Sequence, residues 1–341
     1  MRIDLIDNFR ALAMIYVLFI HCLFYPAIFF QDIKSLFLIE MPLFFAITGM
    51  SHYFAHTEDT KKFLLSRLSR ILIPYWIYSI VCITLNVLHT NTSNIWEIII
   101  SWINPFSEHI STILYLNWAT WFISIYLLVC LIIPVLKRIF INTNGITKLM
   151  PVIILLLLNA CFSVGLLEFY ELQLALFYAL WVYMGFWYIS TLNDKSIKEK
   201  FLPCLIISLL GGGVCFVIYP YFSLDMQINK FPPNVLFMSY CMIFIPIIFL
   251  FSQQINHILN CMCRFKPWNW IFQQYKKYCY TIYLYHSLSF LIVYFLTNLA
   301  GLETFFKTYE HLGLLIYWLA VTIISAEFGR LFGKCERIKI N

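Results

Sequence analysis

The sequence predicts an all-α polytopic membrane protein of about ten transmembrane helices with both termini in the cytoplasm. Its 341 residues are 62% hydrophobic and only 12% charged, whereas charged residues make up about a quarter of a soluble domain. Ten segments each supply the roughly 20 apolar residues that span a bilayer, and these are 9–29, 36–55, 71–89, 118–137, 149–166, 171–190, 202–221, 234–251, 280–299 and 311–333. They leave no room for a separate soluble domain, so residues 1–341 are predicted to form a single transmembrane domain.

The distribution of basic residues predicts the orientation. With the N-terminus inside, nineteen lysines and arginines fall on the cytoplasmic side, and only Lys34, Lys230 and Lys307 fall outside. Cytoplasmic loops carry this excess of basic residues in membrane proteins. The net charge of +6 therefore follows topology and does not indicate a nucleic-acid partner. We also expect no removable signal peptide, because the first segment lacks a small-residue cleavage site.

The eleven cysteines predict neither a disulfide framework nor a metal site. Most lie inside predicted spans, and the others fall on the reducing side, where disulfides are rare. Cys261 and Cys263 have no histidine or cysteine partner at a metal-site spacing. No metal is expected.

Arg10 and His21 stand out in the first span because ionisable groups at membrane depth are costly and mark functional sites. Eleven residues of α-helix make three turns and about 20° more, so both side chains share one face, about 16 Å apart along the axis. Asp7 lies one turn before Arg10 and is able to pair with it. The alternative is that Arg10 reaches the headgroups and His21 hydrogen-bonds a neighbouring helix.

Arg67 and Arg70 stand at positions i and i+3 near the start of the third span and share a helix face. Simple topological anchoring explains them, and so does a fork for phosphate groups, which planar guanidinium groups suit. His286 lies just inside the ninth span from its cytoplasmic end. Its alternatives are a packing hydrogen bond and a role in the site.

Weaker signals come from the second span and from the exoplasmic side. Thr48 and Gly49 lie in EMPLFFAITGM, where small residues let another backbone or a ligand approach closely. Lys230 stands before two prolines in a rigid turn, where it either serves structure or meets an anionic or polyhydroxyl acceptor. Tryptophans such as Trp121 stack on sugar rings in one interpretation and belong to the interfacial aromatic belt in the other.

Taken together, these segments resemble acyltransferase family 3, which includes bacterial O-acetyltransferases of surface polysaccharides. IDNFRALAMIYVLFIH is similar to the family's first-helix pattern, in which ten residues separate an arginine from a histidine. MPLFFAITGM is similar to its Phe-Phe-x-x-Ser-Gly motif, with Thr48 in place of the serine. RLSRILIPYW, ATWFISIYLL, KFPPNVLF and YTIYLYHSL then follow in the family's order. The resemblance runs from about residue 3 to residue 299.

The resemblance implies transfer of an acyl group, usually acetyl, from cytoplasmic acetyl-CoA to an acceptor on the far side of the bacterial cytoplasmic (inner) membrane. Arg10 and His21 match the family's essential pair, and Arg67 and Arg70 match its basic motif at the cytoplasmic mouth. We assign His286 to the same donor side. Acetyl-CoA is then the expected donor substrate, with no metal.

On the exoplasmic side, Lys230 matches the family's turn motif, and we group Trp121 with it as an acceptor residue. The expected acceptor is a hydroxyl group of a surface glycan, such as lipopolysaccharide, or of a lipid-linked sugar. His21 is predicted to act as general base or as acyl relay, with Arg10 as its partner.

Two other functions stay open at this point. In a transporter or flippase of the same span number, Arg10 and His21 form a proton relay, although the chain shows no duplicated half with interrupted helices. An N-acetyltransferase acting on amino sugars is the second alternative. The two acetyltransferases differ in whether the product is an ester or an amide.

Overall fold

The computed structural model describes residues 4–24, 29–30, 33–55, 59–89 and 94–338. Within these ranges every regular element is a helix and no residue lies in a β-strand. The α-helices in chain order are α1 Asp4–Phe24, α2 Glu40–Tyr53, α3 Thr60–His89, α4 Ile95–Ile103, α5 Trp121–Asn142, α6 Leu149–Ser163, α7 Tyr170–Trp187, α8 Ile197–Ile218, α9 Met226–Lys230, α10 Val235–Leu250, α11 Ser252–Met262, α12 Lys266–Lys277, α13 Cys279–Leu299, α14 Glu303–Thr308 and α15 Glu310–Phe332. A short 3-10 helix, Gly333–Arg337, follows α15.

The number of membrane-spanning helices agrees with the sequence. In the part of the chain that the structure describes, nine helices are long and apolar enough to cross a bilayer. A tenth span results if α10 and α11, which meet at a bend of 63°, count as one. In α8 only 11% of the most apolar window is buried, so its hydrocarbon side chains require a lipid surrounding. The protein is an all-α polytopic membrane protein; the cytoplasmic location of its termini stays a prediction.

Several helix boundaries differ from the predicted segments. α3 begins at Thr60 rather than at residue 71, because backbone hydrogen bonding continues through the charged turn where hydropathy stops. The predicted loop after residue 251 contains α11 and α12, and the predicted loop before residue 118 contains α4. Residues 25–28, at the end of the predicted first segment, and residues 90–93 lie outside the described residues.

The chain forms two compact units, each built from three separate stretches. The first comprises residues 1–9, 35–60 and 128–262. In it α2 and α6 pack against α7, and α8 packs against α10. Asn8 donates its side-chain amide hydrogens to Asn256, at 2.7 Å, and to Asn260, at 3.1 Å, and so holds α11 in place.

The second unit comprises residues 10–34, 61–127 and 263–341. Here α13 packs against α15, and α12 contacts both helices. Trp318 Nε1 donates to the carbonyl of Ile15 at 3.3 Å, which links α15 to α1. That residues 1–341 form a single transmembrane domain stays a prediction.

Candidate active site

The second unit brings His21 and His286 into direct contact. His21 is half-buried in the last turn of α1, whereas His286 is 1% exposed on α13. Nδ1 of His21 lies 2.7 Å from Nε2 of His286, a hydrogen bond between the two rings. The two helices thus bring the half-buried imidazole of His21 against the buried imidazole of His286.

A backbone carbonyl decides how this histidine pair shares its protons. Nδ1 of His286 hydrogen-bonds to the carbonyl oxygen of Tyr283. Since a carbonyl only accepts, Nδ1 of His286 carries the hydrogen, and in the neutral ring Nε2 is then an acceptor. His21 must therefore donate from its Nδ1. In the neutral pair the basic lone pair of His21 lies on Nε2.

Aromatic side chains fix the orientation of the pair. The ring of Phe290, fully buried, lies 5.9 Å from the ring of His286 and 6.2 Å from that of His21, measured between centroids. Tyr283 donates its hydroxyl hydrogen to the carbonyl of Ala119 at 2.6 Å and so ties α13 to the segment before α5. These contacts fix the ring of His286 as the hydrogen-bond acceptor for His21.

Arg10 lies at the other end of the helix face that carries His21. Its carbonyl oxygen is 3.8 Å from Sγ of Cys279, the first residue of α13. His286 stands seven residues later, about 10 Å further along that helix. α1 and α13 therefore run side by side. Arg10 lies at one end of this contact, and the His21–His286 pair lies further along both helices.

A cluster of charged residues surrounds Arg10. Arg70 interacts electrostatically with Arg67, Glu336 and Arg10, and Glu336 with Arg10 and Arg70. The guanidinium of Arg67 also lies over the ring of Phe63, 5.5 Å from its centroid. Arg10, Arg67 and Arg70 thus belong to one basic cluster, in which Glu336 is an acidic neighbour. Such a concentration of planar donors suits phosphate groups.

The structure gives His286 a direct partner that the sequence did not identify. His286 contacts His21, whereas Arg67 and Arg70 belong to the cluster around Arg10. Direct contact between His286 and the donor stays a prediction. The hydrogen bond between the two rings also agrees with the packing alternative, because it orients the ring of His21.

The first unit contains Lys230, which the sequence placed at the acceptor. Lys230 is 4% exposed, and its ammonium forms an ion pair with Glu40, itself 1% exposed. Glu40 is the first residue of α2, where the helix dipole favours a carboxylate. The amine reaches an acceptor only if this pair opens. The acceptor role of Lys230 stays a prediction, and the structural role is visible.

The Thr48–Gly49 motif lies where two helices of the first unit touch. A methyl group at Gly49 would overlap the carbonyl of Val182 on α7, and one at Gly185 would overlap the carbonyl of Ala46 on α2. This confirms the predicted close approach of another backbone. Thr48 is 7% exposed beside it. Asp7 is also buried, at 4%, in the first turn of α1.

The tryptophans in the segment that the sequence predicts to be exoplasmic differ in exposure. Trp121, the first residue of α5, is half-buried, and its acceptor role stays a prediction. Trp102 is fully buried and donates Nε1 to the carbonyl of Ile110 at 2.8 Å. Its ring centroid lies 4.7 Å from that of His109. Nε2 of His109 lies 2.7 Å from the hydroxyl oxygen of Tyr75. Burial lowers the pKa of His109 to about 4.

Two groups near the candidate site could not be identified from sequence motifs. The carbonyl of Tyr283 has no residue-specific signal, because every residue carries one. Glu336 gives a faint signal as the one acidic residue among Lys334, Arg337 and Lys339 in the C-terminal tail. Only the fold brings that carboxylate to the start of α13.

The helices and the site define a multi-pass integral membrane protein with a paired-histidine centre beside an arginine cluster. A family model described as an acyltransferase domain matches residues 3–326. The chain therefore belongs to acyltransferase family 3, and it is a membrane acyltransferase. No curated protein and no solved structure gives a significant match to it.

Proposed function

We propose that this acyltransferase moves an acetyl group from cytoplasmic acetyl-CoA to a hydroxyl group of a surface glycan on the far side of the bacterial cytoplasmic membrane. The hydrogen-bonded series His21–His286–Tyr283 carries the proposal. It directs a basic imidazole nitrogen away from the buried ring. A group of this kind is suited to take a proton from a hydroxyl near neutral pH.

The arginine cluster supports CoA as the donor. CoA carries several phosphates, and charge-assisted hydrogen bonds from Arg67 and Arg70 would hold them. Phosphates bound there leave the pantetheine arm free to follow α1 from Arg10 towards His21. Arg10 then positions the thioester or stabilises the negative charge that develops on its carbonyl oxygen, an effect that is larger in a water-poor site.

In the chemical step, His21 both takes up and returns the one proton that moves. Nε2 of His21 takes the proton of the acceptor hydroxyl while the hydroxyl oxygen attacks the thioester carbonyl. The tetrahedral intermediate collapses by breaking the carbon–sulfur bond, and the leaving thiolate receives the proton from His21. The products are an acetyl ester and free CoA. His286 accepts a hydrogen bond from the imidazolium that forms transiently.

A covalent route uses the same nitrogen. Nε2 of His21 would attack the thioester, release CoA and carry the acetyl group to the acceptor. The two routes differ without an acceptor: the covalent route releases about one CoA per protein molecule in a burst, and the general-base route releases none. Rapid quenching with acetyl-CoA alone therefore distinguishes them.

The central test replaces His21 with alanine in the purified full-length protein in proteoliposomes. Radiolabelled acetyl-CoA and a glycan acceptor are supplied, and product is counted. His21→Ala should lower the rate about 10²–10⁴-fold and leave CoA binding unchanged. His257→Ala is the matched control, because His257 is an exposed histidine on α11. Near-full transfer by folded His21→Ala would contradict the proposal.

The same assay decides between the remaining alternatives. Mild base removes an acetyl ester but not an acetamide, so alkaline release of the label indicates O-acetylation and its retention indicates an amino-sugar acceptor. Transport without any consumption of acetyl-CoA would favour the transporter alternative, to which the family match gives no support.

A further inference from the structure

We infer that the turn formed by residues 112–120 binds the sugar of the acceptor, and that Trp118 stacks on that sugar. The inference rests on the proposed function, because it names the part of the protein that receives the glycan. The turn belongs to the second compact unit. It lies between α4 and α5, where residues 104–120 form turns and bends and no helix.

The chain between α3 and α5 returns to the middle of α3. The hydroxyl of Tyr75 donates to the carbonyl of Trp102 at 2.7 Å, and that of Tyr78 donates to the carbonyl of Leu116 at 2.9 Å. Tyr75 precedes the end of α3 at His89 by fourteen residues, about 21 Å of helix. Since α3 is long and apolar enough to cross a bilayer, the segment re-enters the membrane from that end. Irregular backbone at such depth occurs only inside protein or beside a water-filled cavity.

The turn packs along α13 at the level of His286. The hydroxyl of Tyr283 donates to the carbonyl of Ala119 at 2.6 Å, and the ring centroid of Tyr115 lies 5.7 Å from that of Tyr294. Tyr283 and Tyr294 are eleven residues apart, so they share one face of α13 over about 16 Å. His286 comes between them in the sequence, and its ring centroid lies 5.4 Å from that of Tyr283. The turn therefore borders the histidine pair.

The aromatic part of the turn and the arginine cluster lie towards opposite ends of α13. Cys279, which contacts α1 at the arginine cluster, precedes His286 by seven residues. Tyr294, which contacts Tyr115, follows His286 by eight residues, about 12 Å further along the helix. The arginine cluster, the histidine pair and the turn thus follow one another along one helix. This order suits a donor and an acceptor that approach His21 from opposite sides.

Tyr115 and Trp118 form a fixed aromatic pair on the turn. Tyr115 is 5% exposed and has a φ of +68°, a left-handed conformation that is unfavourable for a bulky residue. Such conformations persist where the surroundings impose them, and they cluster at active sites and ligand clamps. The two rings stand edge to face at 4.8 Å, and Trp118 keeps 40% of its surface exposed. Because the face of an aromatic ring carries partial negative charge, it attracts the C–H groups of a sugar ring.

Anchoring at the membrane interface is the other common use of an exposed tryptophan. Trp96, which is 74% exposed on α4, suits that use. Trp118 differs from it because the next residue, Ala119, is hydrogen-bonded to α13 at Tyr283. An anchor needs only apolar surface, whereas sugar stacking needs a flat aromatic face. The two uses therefore predict different responses to leucine and phenylalanine.

The experiment measures steady-state transfer by the purified full-length protein in detergent. Radiolabelled acetyl-CoA is the donor, and the acceptor is surface polysaccharide of the host cell from which mild base has removed the ester groups. Trp118→Leu should raise the KM for the polysaccharide about three- to tenfold. Trp118→Phe should restore most of the loss, and both variants should keep the KM for acetyl-CoA. Trp96→Leu is the matched control and should leave both constants unchanged.

The outcomes separate this inference from the proposed function. If the wild type transfers no acetyl group to the polysaccharide, the proposed function fails and the inference fails with it. If the wild type is active and Trp118→Leu keeps its KM for the polysaccharide, the inference alone fails. Equally raised KM values for Trp118→Leu and Trp118→Phe would also overturn it, because an aromatic face would then have no effect. KM does not depend on the folded fraction, so a partly unfolded variant still gives a result.

Discussion

The ring of His286 donates its Nδ1 hydrogen to the carbonyl oxygen of Tyr283, one turn earlier in the same helix. That bond determines the state of a residue on another helix, because it makes Nε2 of His286 the acceptor and Nδ1 of His21 the donor. A main-chain atom thus selects the tautomer of the proposed catalytic base. The relationship depends on α13 remaining a regular helix around residue 283.

Replacing His286 should slow the reaction without removing the base. His286→Ala takes away the acceptor that stabilises the His21 imidazolium, and a hydrogen bond to a charged group contributes about 1.5–3 kcal/mol. We expect kcat to fall about 10–100-fold. His286→Gln should recover part of this loss, because its side-chain oxygen is able to accept from Nδ1. Equal rates for the two variants would mean that His286 only fills space.

Replacing Arg67 and Arg70 together should weaken donor binding. Two guanidinium groups that hold phosphates contribute charge-assisted hydrogen bonds, so their loss should raise the Kd for CoA about 10–100-fold. The dependence of binding on salt should also become shallower. Lys61→Ala is the control, since Lys61 is exposed in the first turn of α3. Unchanged affinity of the double variant would make the arginines topological anchors only.

Breaking the buried pair of Lys230 and Glu40 should destabilise the protein. Lys230→Ala leaves a buried carboxylate without its counter-ion, a change that typically costs about 3–5 kcal/mol. The measurement is thermal unfolding in detergent followed by tryptophan fluorescence. Lys307→Ala provides the comparison, because the ion pair of Lys307 with Glu303 is exposed and contributes at most about 1 kcal/mol. Similar midpoints for both variants would contradict the buried pair.

Adding one methyl group at Gly49 should disturb the packing of α2 against α7. The new atom would meet the carbonyl of Val182, which belongs to the backbone and cannot turn aside. Overpacking of this kind costs about 1–3 kcal/mol or more. Gly212→Ala is the matched control on α8, where nothing lies within 4 Å of the added atom. That variant should be neutral or stabilised by up to about 1 kcal/mol, measured by the same unfolding assay.

His109 should make stability depend on acidity. Burial lowers its pKa in the folded protein from 6.5 to about 4, so on acidification the unfolded chain takes up the proton first. The free energy of unfolding should then fall as the pH drops from 6.5 to 4, by up to about 3 kcal/mol.

The comparison variant is His109→Gln, which cannot titrate. The difference in unfolding midpoint between the wild type and His109→Gln should shift against the wild type on going from pH 7.5 to pH 4.5. His257→Gln, at an exposed position, should follow the wild type across the series. A constant difference for His109→Gln would mean that His109 stays unperturbed.

The helical membrane architecture was predictable because hydropathy reports directly on the solvent of each segment. The contact of Gly49 with another helix was one of two predicted alternatives, since a small residue inside a span lets a backbone or a ligand approach closely. Helix ends were less predictable. α3 begins at Thr60, before the apolar run, because backbone hydrogen bonds form between charged residues as well as between apolar ones.

The site was predictable only in part. Arg10 and His21 stand out because each is costly in a bilayer, so their presence alone carries information. The pairing of His21 with His286 joins residues 265 positions apart, and no local spacing in the sequence predicts it. For Lys230 the sequence left a structural role and an acceptor contact both open, and only the fold shows that Glu40, 190 positions away, pairs with its charge.

The closing turn of the chain also bears on where this protein can be cut. Residue 326 ends the family match, but the side chain that caps α13 stands at residue 336. A gene fragment trimmed to the matched residues would expose the N–H groups at the start of α13 and remove the packing on Tyr278. The similarity that identifies the family therefore stops short of the folded unit, and truncated versions should extend at least through Arg337.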